Sequence, residues 1–353
     1  LIMRSRYILL LGLLLQFASL GSIINAQSTA STPNFIIYNE ANASSKFIDK
    51  LAYFIQYVYN DYVVNNRLNM MQPCNGSKYI VYITNNVSGL GGYVSYGPLC
   101  INYIEFNSNA NIPYSVYYTL LQMTRYFAEA PNYDSTWYGV ASLVGLTERF
   151  GRMCNYVNLF FTNEYWLRNP YDYFNQYPYY GAFPYGALFY WLMNQYTPQF
   201  ILTMTLNSTQ PINTWVNVEY VIFLTSLVHG IYLCGTLYKP TFSVINPNST
   251  LYLIMPGLTA RYFVINGLIN GTLTINVNGN VVSDVVINET IFVTNGSVYI
   301  ALVNPTLSQE LVKVVVTYHG SVMGRITNQY LILILAIMML VLTIVLMVEL
   351  RRR

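Results

Sequence analysis

At Pro240 the hydrophobic pattern changes period, and this constrains the fold more than any other feature of the chain. Much of what precedes it has apolar residues at helical spacing. In "KFIDKLAYFIQYVYNDYVVNN" (46–66), Phe47, Leu51, Phe54, Ile55, Val58 and Tyr62 share one stripe, which predicts an amphipathic helix. After Pro240 the chain alternates, through "TFSVIN", "LYLIMPG", "RYFVIN", "GTLTINVNG", "VVSDVVIN", "TIFVTN", "SVYIALVN" and "LVKVVVTYHG", with Asn-Gly and Asn-Pro between runs. Short alternating runs bounded by turn residues predict strands. Roughly eight of them in about 80 residues predict an all-β, immunoglobulin-like sandwich over 240–322.

The stretch 36–237 predicts an α+β domain. "KYIVYITNN" (78–86), "GGYVSYG" (91–97) and "LCINYIEF" (99–106) are short β-rich runs broken by Gly, Asn and Pro, the pattern of a small sheet. Pro113 then opens a helix expected to run through Glu129, since a missing N–H costs nothing in the first turn. A second helix is expected from Thr136 to Phe150, capped by Ser135 or Asp134 and stopped by Gly151. Residues 155–235 read as mostly helical, with "PYDYFNQYPYYGAFPYG" (170–186) as a Tyr/Pro/Gly loop.

Both ends carry export signals. Arg4 and Arg6 precede an apolar run and "SIINAQS", which predicts a cleaved signal over 1–26 and a leader over 27–35. "YLILILAIMMLVLTIVLMV" (330–348) holds no charge and predicts one transmembrane helix, with the basic tail 349–353 cytoplasmic and the bulk of the chain extracellular. Eight sequons agree with export: Asn42, Asn75, Asn86, Asn207, Asn248, Asn270, Asn288 and Asn295. Four cysteines allow three pairings in an oxidising compartment, and Cys74–Cys100 with Cys154–Cys234 keeps each pair within one compact stretch. Between signal and span the charge is close to neutral, so nucleic acid is not an expected partner; the membrane, a peptide, a glycan or a surface protein is.

"LLQMTRYF" (120–127) followed by "TWYGVASLVGLTERF" (136–150), after the β-rich runs, resembles the gluzincin-type metallopeptidases, over residues 36–205. In that family a helix bearing His-Glu-x-x-His presents two imidazoles to zinc from one face, the Glu activates water, and a further Glu ligand comes from the next helix. The resemblance puts Gln122 and Tyr126 at the two His positions, Met123 at the catalytic Glu and Val144 at the third ligand. It therefore implies a peptidase-like domain with a degenerate zinc site, in an archaeal-type membrane-anchored surface protein. Trp137, Gly145, Leu146 and Glu148 match packing positions of its second helix.

The residues alone argue the same way. The chain has two histidines, His229 before Gly230 at a helix end and His319 in the last strand, so a histidine-built zinc site is not expected. No catalytic residue, metal or cofactor is expected. No Gly-x-Ser-x-Gly elbow or Asp-Thr-Gly turn is present, and "SGLGGYVSYG" lacks the Lys-Ser/Thr of a phosphate loop. The cleft residues expected beside the former site are Glu105, Arg125, Glu148, Tyr180, Phe183 and Tyr185, with Glu148 pairing with Arg125 or Arg149 or facing solvent. The 35 tyrosines leave two readings open, an aromatic binding groove centred on 170–186 or a general replacement of surface charge. The chain reads as a non-catalytic surface protein with a binding or structural role; a structural envelope component and a hydrolase with a non-zinc site are the alternatives.

Overall fold

In the computed structural model the described residues are 28–87, 90–130, 132–206, 212–278, 282–283 and 290–322. The expected signal, membrane span and basic tail lie outside them, as do Asn207 and Asn288. The fold class has to be corrected for the span. Among the described residues no helix is long and apolar enough to cross a membrane. The longest helix among the described residues has 16 residues, against the ~20 that a bilayer requires. Two compact units remain, one of residues 1–162 with 170–216, the other of 163–169 with 217–353.

The first unit is built on a five-stranded sheet in the order β1-β2-β3-β5-β4, formed by Ser28–Ser31, Phe35–Asn39, Tyr79–Thr84, Ile101–Asn107 and, at the far edge, Gly92–Tyr96 (β4). β2, β3 and β5 are parallel, and β1 and β4 are antiparallel edges. β1 lies in the segment expected to be a leader; it pairs with β2 from Ser28↔Tyr38 to Ser31↔Ile36. Helix α1 (Ser45–Asn60) connects β2 to β3 and buries Ile48, Leu51, Ile55 and Val58, and its start is capped by the Ser44 hydroxyl accepting from Phe47 N–H. A disulfide joins Cys74 to Cys100; Cys154 and Cys234 are disulfide-bonded too, which fits an extracellular protein.

The helix expected from Pro113 to Glu129 breaks in the middle. Helix α2 (Ile112–Gln122) stops at Met123, and a four-residue turn, α3 (Arg125–Ala128), follows Thr124, which is extended at φ −70° and ψ 150°. The competitor is the segment 69–71. Met71 N–H donates to Met123 C=O at 2.9 Å, and Arg125 N–H donates to Asn69 C=O at 2.8 Å. These bonds replace helical ones, while the Thr124 hydroxyl donates to Leu121 C=O.

Helix α4 (Trp137–Gly151) is capped by Thr136, whose hydroxyl accepts from Gly139 N–H, rather than by Ser135 or Asp134. It is buried from Trp137 through Glu148. Around it lie α5 (Asn155–Thr162), α6 (Pro170–Gln176), a 3₁₀ turn (Tyr180–Tyr185), α7 (Gly186–Leu192) and α8 (Pro198–Leu206). Where α4 meets α7, a Cβ on Gly145 would stand 2.2 Å from Gly186 O. Only glycine allows this backbone approach.

The second unit holds the end of α9 (Thr214–Ser226), a small hairpin of β6 (Ile231–Leu233) and β7 (Thr236–Tyr238), and one large sheet. It begins before Pro240 because Tyr262 donates its hydroxyl to Leu224 C=O at 2.6 Å and packs edge-on against Trp166. The sheet runs β11 (Val282–Ser283), β12 (Thr290–Asn304), β10 (Thr259–Asn278), β13 (Glu310–Val322), β9 (Ser249–Met255), with β8 (Ser243–Val244) parallel to β10. The immunoglobulin-like sandwich of short strands is therefore corrected, among the described residues, to one six-stranded sheet. "RYFVIN" and "GTLTINVNG" form one 20-residue strand, because Gly267 (φ +73°) and Asn270 (φ +39°) sit at register shifts within β10 instead of at turns. An Asn-Gly that tolerates positive φ serves a bulge as well as a hairpin.

Gly145→Ala is expected to destabilise the protein by about 1–3 kcal/mol, since the methyl group must displace backbone. A urea midpoint lowered at unchanged slope would show it, and an unchanged midpoint would refute the close approach.

Candidate functional site

The edge strand β4 forms one wall of an open cleft of about 590 Å³. It lies close to α2 because position 92 is glycine; a Cβ there would meet Thr119 Oγ1 at 1.9 Å. At the strand's end the Tyr96 hydroxyl donates to Gln122 C=O at 2.9 Å. That carbonyl belongs to the last turn of α2 and has no helical partner, so one bond satisfies a helix terminus and fixes the cleft wall.

Six tyrosines line the cleft: Tyr93 and Tyr96 from β4, Tyr118 from α2, Tyr133, and Tyr179 with Tyr180 at the 3₁₀ turn. The Tyr118 and Tyr179 hydroxyls touch, which ties α2 to the turn. Tyr179 is held at φ +68° and ψ −64°, a conformation that costs a side chain on the order of 1–3 kcal/mol and is held here by that contact and by rings from Tyr180 and Phe183. Burial pushes the Tyr96, Tyr133 and Tyr179 hydroxyls well above the ordinary phenol range, with neighbouring tyrosines adding to the shift at Tyr96 and Tyr179, and Asp134 adding to it at Tyr133. They stay neutral at physiological pH, where they act as hydrogen-bond donors and acceptors and not as bases. Glu105 and Asp134 also line the cleft, and among the described residues no Lys or Arg does.

The structure sorts the expected residues. Gln122, Glu105 and Tyr180 come together in this cleft. Met123 and Val144 are fully buried, and Tyr126 lies on α3, beyond the break. Gln122 and Tyr126 therefore do not share a helical face, and the paired presentation implied by their spacing is not made. Phe183 and Tyr185 are buried members of the 3₁₀ turn, and Tyr185 packs against Trp137 and Phe160. Arg125 is exposed and 3.9 Å from Glu129, a pair that contributes little. Arg149 covers the Tyr190 ring.

Glu148 neither pairs with arginine nor faces solvent. Its buried carboxyl accepts Tyr156 N–H at 2.8 Å and Val157 N–H at 3.0 Å, which caps α5. Among the described residues no three His, Cys, Asp or Glu side chains gather as a metal group would require. Four of the tyrosines, Tyr93, Tyr96, Tyr118 and Tyr133, were not singled out by the sequence. "GGYVSYG" reads as a strand, but nothing local says that it is an edge.

No protein-family model and no curated protein matches the chain. Among solved structures, the periplasmic g-type lysozyme inhibitor PliG of Salmonella Typhimurium aligns at 8% identity over 22% of this chain and 100% of its own, with a TM-score of 0.18. A likeness at that score carries neither fold nor function to this protein.

Burial pushes the Glu148 carboxyl above the ordinary glutamate range, against the pull of the backbone N–H donors. The folded chain then binds the proton more tightly than the unfolded chain. Its contribution to stability is complete below the unfolded pKa, roughly 4.3, and is lost as pH rises through the folded value. Melting temperature measured across that rise should fall in the wild type and fall less in Glu148→Gln. Glu148→Ala, which orphans buried N–H groups, should cost about 1–3 kcal/mol.

Proposed function

We propose that this is an extracellular, non-catalytic binding protein whose first unit is a peptidase-like domain without its zinc site, and that the tyrosine-lined cleft holds an extended peptide carrying basic side chains. The observation that carries the reading is the free edge of β4 opening on a cleft with exposed rings and two carboxylates. An extended segment adding to a sheet edge gains main-chain hydrogen bonds, and alternate side chains are read by what flanks the edge. Tyr93 and Tyr180 are 51% and 61% exposed, so each offers a ring face to an aliphatic stem or a cation. Glu105 and Asp134 supply the charge complementarity.

The test is calorimetric titration of the full chain, produced without N-glycans, with an extended Lys/Val peptide of about ten residues and a Glu/Val peptide of equal length. The basic peptide should bind and the acidic one should not. Combined Glu105→Gln and Asp134→Asn should weaken binding about tenfold, with reduced salt dependence. Equal affinity for both peptides, or for wild type and variant, would sink the reading.

A separate observation favours a structural role in a cell envelope. The edge strand β9, "STLYLIM", holds neither a charge nor a proline, and its Tyr252 and Ile254, with Leu311 on the adjoining β13, are exposed at 60% or more. Unprotected edges of this kind pair with other chains. Sedimentation velocity should then show association that Ile254→Lys abolishes; a strictly monomeric wild type would refute it.

A further inference from the structure

We infer that an N-linked glycan on Asn86 lies across the mouth of the tyrosine cleft and controls access to it. Asn86 begins the sequon Asn86-Val87-Ser88, sits in the connection from β3 to β4, is exposed, and itself lines the cleft with Tyr93 and Tyr180. The disulfides fit an oxidising export route, the setting in which such sequons are modified.

The described sequons are not equivalent. Asn248 is at φ +58°, and its side-chain Oδ1 accepts Tyr318 N–H at 2.6 Å, so this carboxamide is already engaged. Asn270 lies inside β10, at a register shift. Asn42 and Asn75 are exposed but line no part of the cleft. Asn86 combines an exposed carboxamide, bound to nothing among the described residues, with a position on the rim.

Its modification requires a lipid-linked oligosaccharide donor. The Asn86 Nδ2–C1 bond forms, the bond from C1 to the lipid phosphate oxygen breaks, and one Nδ2 proton leaves with the phosphate; no oxidation or reduction occurs. Sugar rings tethered there meet exposed phenol faces, on which the apolar face of a sugar stacks with large contact area at low conformational cost. The tethered glycan then competes with any free ligand at high effective concentration. It rests on the cleft reading for the identity of that competitor, while the occlusion itself is read directly on the rings.

The experiment compares full chains secreted from an N-glycosylating host as wild type, Asn86→Gln and Ser88→Ala, together with wild type deglycosylated without unfolding. Glycopeptide mass spectrometry should find Asn86 occupied. Tetranitromethane nitration of Tyr93 and Tyr180, mapped on peptides, should speed up at least about twofold in all three glycan-free forms, because a stacked sugar hides one ring face. Tyr53, exposed elsewhere, should not change. If one substitution fails to fold, the other and the deglycosylated wild type carry the comparison. An unoccupied Asn86 beside an occupied Asn75, or unchanged nitration at both rings, would overturn the inference. Peptide binding measured on the unglycosylated chain can fail while the occlusion holds, and the reverse.

Discussion

The burial of α4 on every side is the constraint from which the first unit follows. A helix with no exposed face from Trp137 through Glu148 must be surrounded, and α2, α7 and the 3₁₀ turn are what surround it. The Gly145–Gly186 contact brings two backbones together. Trp137 holds Tyr171 and Tyr185 through edge-to-face rings. These contacts position the turn, and the turn places Tyr179 and Tyr180 opposite β4. Glu148 belongs to the same logic, since a carboxyl in that interior is tolerable because α5 begins against it and donates its free N–H groups.

A chain with 9% charged residues cannot depend on ion pairs, and its interior shows what takes their place. Phenol hydroxyls donate to backbone carbonyls: Tyr62 to Tyr117, Tyr79 to Met71, Tyr96 to Gln122, Tyr262 to Leu224. Each carries a large apolar ring and one polar atom, so a single side chain supplies burial and satisfies a backbone acceptor. The cleft is an open instance of the same chemistry. Its rings pack among themselves at the base and present free faces at the rim, where two carboxylates give it a sign.

The resemblance to a peptidase and the cleft meet at one residue, Gln122. Its side chain lines the cleft and its carbonyl receives Tyr96. Its helix nevertheless ends there, because the 69–71 segment takes the bonds that would have continued it. Four-residue spacing puts two side chains on one face only while the backbone between them stays helical. Glu105, at the other side of the cleft, was legible as a strand residue near the motif. Tyr180 was legible as part of an aromatic loop. Tyr93, Tyr96, Tyr118 and Tyr133 carried no local mark that separated them from the many other tyrosines.

The sequence by itself determined the local preferences: a helical stripe in α1, short strands from Lys78 to Phe106, alternation after Pro240, and cysteines suited to an oxidising compartment. These depend on period, propensity and turn chemistry, which are read within a few residues. Tertiary structure alone decided that α2 stops at Met123, that the Asn-Gly steps of β10 become bulges inside one strand, and that Glu148 caps α5. Each is a competition for a backbone hydrogen bond between a near partner and a distant one. The near partner is written in the sequence, but the distant one exists only after the chain has brought it there.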